Sequence, residues 1–201
     1  MRALAAQVKS GRNNGEYAGS LYCIGGQIGY VRCENAERNF YRAIVDAMFV
    51  GGLPIDVRLA PDGRLFYVAN QGLGGVSVID PRAMRQVAFL ATGRGAHGLA
   101  VSRDARRLYV TNRLAGTLSV VDFARRRVVA TWQIGGSPDM IAVSPDGRQL
   151  WISNRYSGTV SVVNARSGRV IATIRTGGRP HGLAFFPQPG RFSLGHNGVY
   201  R

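Results

Sequence analysis

A chain of 201 residues with 45% hydrophobic and 18% charged residues can bury a core of its own, which sets it apart from disordered or fibrous sequences. Its 26 basic residues outnumber 11 acidic ones for a formal net charge of +15, and Lys9 is the only lysine among them. No run of about 20 apolar residues offers a membrane helix, and the two cysteines form neither a C-x-x-C pair nor a Cys/His cluster that would argue for a metal.

In chain order, residues 1–50 come first and do not repeat. Met1 to Val8 (MRALAAQV) has a basic start and a short apolar stretch, but the polar KSGRNNGE follows, so it makes a poor export signal. Cys23 and Cys33 stand ten residues apart in a turn-rich stretch; a disulfide in an oxidising compartment and two unrelated thiols both fit. Further on, two readings compete. In one, Gly29 to Cys33 (GYVRC) and Ala43 to Val50 (AIVDAMFV) are strands that complete the unfinished unit at the carboxyl end. In the other, Glu37 to Phe49 is an amphipathic helix, with Phe40, Ile44, Val45, Met48 and Phe49 at helical spacing and Asn35 as its N-cap. The strand reading is preferred for residues 43–50, which precede a Gly-Gly pair just as Arg169 to Thr176 do. A third reading leaves residues 1–42 outside the repeating protein altogether.

From residue 51 onward a 42-residue unit recurs without a gap, as 51–93, 94–135, 136–177 and a partial unit 178–201. Asp62, Asp104 and Asp146 are in register, as are Asn70, Asn112 and Asn154, and then Asp80, Asp122 and Asn164. Each unit reads as four strands of about five residues, rich in Val, Ile, Thr and aromatics. In the third unit these are Met140 to Ser144, Gln149 to Ser153, Thr159 to Val163 and Arg169 to Arg175, separated by Pro145-Asp146-Gly147, Tyr156-Ser157-Gly158 and Ala165 to Gly168. Alternation in Thr159-Val160-Ser161-Val162 predicts Val facing the neighbouring sheet and Thr and Ser on the other face. The more continuously apolar first strand predicts burial near a central axis. Four-stranded units of this length define an all-β fold, a β-propeller of about 3.5–4 blades, whether closed or a partial propeller.

Tyr109-Val110-Thr111-Asn112 is the tetrapeptide YVTN, and with Ser144 to Gly147 (SPDG) and Pro180 to Leu183 (PHGL) the chain resembles YVTN/YncE-like propellers over residues 51–201. The resemblance implies a bacterial, usually secreted or cell-surface protein, hence an extracytoplasmic location. It also implies about seven blades, or roughly 300 residues at this repeat length. Three and a half units therefore leave three expectations: a fragment, a small closed ring, or copies that associate through open blade edges.

Up-and-down connectivity brings the segments before strand one and after strand two to one mouth of the central channel. Those segments supply the candidate ligand-binding residues His97, Asp139 and His181 at equivalent positions, with Arg94, Arg113, Arg155 and Arg179. Imidazole and guanidinium groups converging there suit an anion through charge-assisted hydrogen bonds. Two His and an Asp from different blades make only a loose metal set, so no metal and no cofactor is predicted. The recurring Asn and the His-Gly pairs also read as structural, and Asp62, Asp104 and Asp146 as turn residues. No nucleophile elbow, paired carboxylate motif or phosphate-cradling loop occurs, so no catalytic residue is assigned. The expected function is a non-enzymatic binding or scaffold propeller for a protein, glycan or small anionic ligand. A lactonase-like or quinoprotein-like enzyme on the same mouth and a fragment without independent function are the alternatives. The arginines are scattered through turns and no nucleic-acid-binding motif accompanies them, which disfavours a nucleic-acid partner.

Overall fold

The computed structural model describes residues 4–7 and 46–185, and the elements among them are all β-strands. Strand β1 (Leu4–Gln7) pairs antiparallel with β2 (Asp46–Phe49). Three four-stranded antiparallel sheets follow, each drawn from one repeat with its strands in chain order. Blade 1 holds β3 (Pro54–Leu59), β4 (Phe66–Asn70), β5 (Gly75–Asp80) and β6 (Arg85–Ala91). Blade 2 holds β7 (Ala96–Val101), β8 (Arg107–Asn112), β9 (Thr117–Asp122) and β10 (Arg127–Gln133). Blade 3 holds β11 (Pro138–Val143), β12 (Gln149–Asn154), β13 (Thr159–Asn164) and β14 (Val170–Arg175). This is the all-β propeller architecture that the repeat predicts.

The turns follow from the recurring acids. Asp62, Asp104 and Asp146 each accept the backbone N–H two residues on, at 3.0, 3.1 and 3.0 Å, which closes the turn from first to second strand. Asp80, Asp122 and Asn164 do the same between third and fourth strands, accepting from Ala83, Arg125 and Ser167 among others. Glycine pairs at positive φ lead from one unit to the next, as at Gly135-Gly136 (72° and 63°) and Gly177-Gly178 (69° and 56°). Gly51-Gly52 repeats this geometry (75° and 58°), so the residues before it end as an outer strand does, and Asp46–Phe49 is strand rather than helix. Its partner is Leu4–Gln7, a pairing the sequence reading did not anticipate. Gly29 to Cys33, Cys23 and the earlier part of the helix alternative lie outside the described residues.

The third strands β5, β9 and β13 are buried along nearly their whole length, on the Ser/Thr face as well as the Val face. Blade 2 is stacked between blades 1 and 3, so both faces of its middle strands leave water. Ser77, Ser119 and Ser161, in register, are inside, at 0%, 0% and 4% exposure. Asn112 and Asn154 donate through Nδ2 to the hydroxyls of Ser119 and Ser161 at 3.0 and 2.8 Å, which satisfies polar atoms that would otherwise be orphaned. The first strands are largely buried, whereas β6, β10 and β14 at the rim are mostly exposed.

The core lies between blades rather than within them. Tyr67, Val76, Leu99, Leu108 and Val121 join blade 1 to blade 2, and Leu118, Ile141, Leu150 and Ile152 join blade 2 to blade 3. Each such side chain contributes about 1.5–3 kcal/mol on burial, so the apolar joint holds successive blades together.

Candidate functional site

The first strand of every blade slips out of register where it enters the sheet, between Pro54 and Asp56, Ala96 and Leu99, and Pro138 and Ile141. His97 and Asp139 sit within these bulges, which re-aim side chains and break the regular pairing. A hydroxyl on the second strand takes up the freed backbone groups. Thr111 Oγ1 accepts from Gly98 N at 2.7 Å and donates to Asp139 O at 2.6 Å, on the next blade. Ser153, one repeat later, accepts from Met140 N at 3.1 Å and donates to the carbonyl of His181. Blade 1 has Ala69 at this position, and there the Asp56 carboxylate crosses instead, its Oδ2 accepting from Leu99 N at 2.9 Å. His97, Asp139 and His181 are thus positioned by bonds that run from blade to blade.

Asp139 is fully buried at the centre of the cluster. Arg113 Nη1 donates to its Oδ1 at 2.8 Å and His97 Nε2 lies 3.3 Å from the same oxygen. His181 Nδ1 lies 2.7 Å from Oδ2, but without the alignment of a hydrogen bond. Arg113 also donates through Nη2 to Gln71 Oε1 at 3.0 Å, a partner exactly one repeat away. Two ladders of equivalent positions therefore cross the mouth: His97, Asp139 and His181, and beside them Gln71, Arg113 and Arg155. Burial of the His97 imidazole pushes its pKa down to about 4, against the upward pull of Asp139, with Arg113 and His181 adding to the depression. At neutral pH His97 is consequently an uncharged ring against a carboxylate that Arg113 neutralises.

Two guanidinium donors at the mouth, Arg113 Nε and Arg155 Nε, are buried without a hydrogen-bond partner, as are the acceptors Asp139 Oδ2 and Asn154 Oδ1 and the His97 Nδ1, which accepts while Nε2–H faces Asp139. Among the described residues neither Arg155 nor Arg179 forms an ion pair with a carboxylate. Beyond the cluster, the Tyr156 ring is exposed and carries two guanidinium carbons near its face, Arg113 at 5.5 Å and Arg179 at 5.8 Å. Of the candidates from sequence, His97, Asp139, His181 and Arg113 meet directly, and Arg179 joins through Tyr156. Arg94 is exposed and takes part through its backbone carbonyl, which accepts from Leu114 N and Ala115 N. Among the described residues no group of three or more His, Cys, Asp or Glu side chains is placed to hold a metal ion.

Sequence reasoning missed Gln71, Tyr156 and the hydroxyl pair Thr111 and Ser153. Gln71 could have been found by extending the register of Arg113 and Arg155 back by one repeat. Tyr156 carried no such signal, because Leu114 and Gly72 stand at its equivalent positions. Asn70, Asn112 and Asn154 take the structural role: Asn70 Oδ1 accepts from Leu53 N and Leu73 N, and Asn112 binds Thr92 through both side-chain atoms.

The sequence profile of a family described as YNCE-like beta-propeller matches residues 40–189. No curated protein sequence matches the chain. Among solved structures, hydrazine synthase from Kuenenia stuttgartiensis is similar with a TM-score of 0.57 at 24% identity, covering 63% of this chain and 37% of that one. A Bacteroides fragilis protein assigned provisionally as a 6-phosphogluconolactonase is similar with a TM-score of 0.54 at 21% identity, covering 67% of this chain and 45% of that one. The chain thus spans less than half the length of either structure. At these identities both likenesses establish the fold and carry no reaction or ligand.

Proposed function

Because the chain belongs to the YNCE-like beta-propeller family, we propose that it is a non-enzymatic binding propeller whose channel mouth takes a small anion. The observation that carries this reading is a pair of buried guanidinium N–H donors at the mouth without an acceptor, Arg113 Nε and Arg155 Nε. A buried donor without an acceptor costs about 1–3 kcal/mol, and an anionic oxygen placed between the two relieves that cost. Asp139 is already engaged by Arg113 and flanked by both imidazoles, and among the described residues no carboxylate pairs with Arg155 or Arg179. Those two cations supply charge-assisted contacts to a ligand. Tyr156, bracketed by Arg113 and Arg179, adds an exposed ring on which the ligand's body rests.

Isothermal titration with citrate and with inorganic phosphate tests the proposal. The expected result is saturable binding that weakens with salt, and at least a tenfold loss in Arg155→Gln at unchanged thermal stability. Absence of saturable binding to both anions, or the same affinity in Arg155→Gln, overturns it.

A further inference from the structure

A second cavity lies away from the mouth, between the turns of blades 1 and 2, where Asp62, Asp80 and Ala105 are found. It has a volume of about 640 Å³, within the range of ligand sites. Tyr67 and Phe123 line it as an edge-to-face pair with ring centroids 5.1 Å apart.

The equivalent notch between blades 2 and 3 is filled from within. Arg103 reaches across it, donating through Nε to Ser144 O at 3.0 Å and through Nη2 to Val143 O. Its aliphatic stem lies against Gly147, and Trp132 covers Gly168 in the same joint. One repeat earlier, Pro61 stands at the position of Arg103 and Leu90 at that of Trp132. Proline has no group that can reach the next blade, so the first notch stays open.

Blade 2 keeps the docking geometry that Arg103 uses on blade 3. Ser144 O accepts from Gly147 N at 2.9 Å, and Ser102 O accepts from Ala105 N at 2.9 Å. The open notch adds charge of both signs: Asp62 and Asp80 line it together with Arg64, Arg82 and Arg126. Arg103 is thus a built-in example of what the first notch lacks, a guanidinium on an apolar stem.

We propose that the notch between blades 1 and 2 is a binding site for a ligand bearing a guanidinium and a carboxylate on an apolar stem, as a free or carboxyl-terminal arginine does. The guanidinium meets the carboxylates of Asp62 and Asp80, which line the notch. The stem lies on Tyr67 and Phe123, and the ligand's carboxylate is matched by Arg64, Arg82 and Arg126. This site stands apart from the anion site at the mouth and does not rest on it.

The test is titration of the 1–201 chain with L-arginine and with L-citrulline, which keeps the size and carboxylate but loses the cation. Saturable binding of arginine, at least tenfold weaker for citrulline, is expected. Pro61→Arg, which supplies the plug that blade 2 carries naturally, is expected to weaken arginine binding at least tenfold. Should Pro61→Arg unfold, Asp62→Asn, which keeps the turn acceptor and removes the charge, is expected to weaken it at least threefold. No saturation up to roughly 10 mM arginine, equal affinity for the two amino acids, or undiminished binding in a folded Pro61→Arg or in Asp62→Asn overturns the proposal.

Discussion

Ala105 holds φ at 59°, a left-handed conformation that the equivalent turns assign to Gly63 and Gly147 at 72° and 73°. A Cβ there costs about 1–2 kcal/mol, while glycine brings back roughly 0.5–1 kcal/mol of chain entropy in the unfolded state. Ala105→Gly is therefore expected to stabilise the protein by about 0.5 kcal/mol, read as a higher urea midpoint at unchanged m-value. The same turn shows what was legible at this scale. Asp62, Asp104 and Asp146 could be assigned to turns because an Asx side chain bonds its own backbone, an interaction confined to neighbouring residues. Arg103 could not, since its partners Ser144 and Val143 lie on another blade, and only the fold brings them within reach. The mouth divides in the same way: the convergence of His97, Asp139 and His181 follows from connectivity, whereas the place of Gln71 depends on a side chain reaching one blade over.

Among elements, the joint between blades 2 and 3 depends on the second strand of one and the first strand of the other. Thr111 Oγ1 serves both, holding the bulge of β7 through Gly98 N and anchoring β11 through Asp139 O. Thr111→Val keeps the shape, leaves Gly98 N and Asp139 O without this buried partner, and is expected to cost about 2–4 kcal/mol in urea unfolding. Blade 1 tolerates Ala69 there because Asp56 carries the crossing contact instead, so Asp56→Ala is the equivalent lesion in that blade. The strands themselves were readable from spacing and β-branched composition. Whether either face meets water was not, because alternation usually marks a half-exposed strand and β9 has a blade on either side. Ser161 could be placed on the face opposite the valines, but the asparagines that bind Ser119 and Ser161 could not be matched to them before the strands were paired.

For the molecule as a whole, acidity acts through the mouth. His97 titrates near 6.5 when unfolded and near 4 when folded, so between these values the unfolded chain binds more protons. Its contribution to stability is complete above about pH 6.5 and declines as pH falls towards 4, by up to about 3 kcal/mol. Urea midpoints between pH 7 and 4 are expected to fall accordingly, with His97→Gln showing a flatter profile in that window. Asp80, Asp104, Asp122 and Asp146, held low chiefly by backbone or serine hydrogen bonds, add their losses only at more acidic pH.

The hydroxyl that reaches forward from the second strands of blades 2 and 3 also gives the joint a direction. One side of a blade donates and the opposite side offers a bulged backbone to accept, so the contact is heterologous: like sides have nothing to exchange. Blades joined this way succeed one another in a single rotational sense about the channel, and a two-fold pairing of identical faces is not among the arrangements this joint can make.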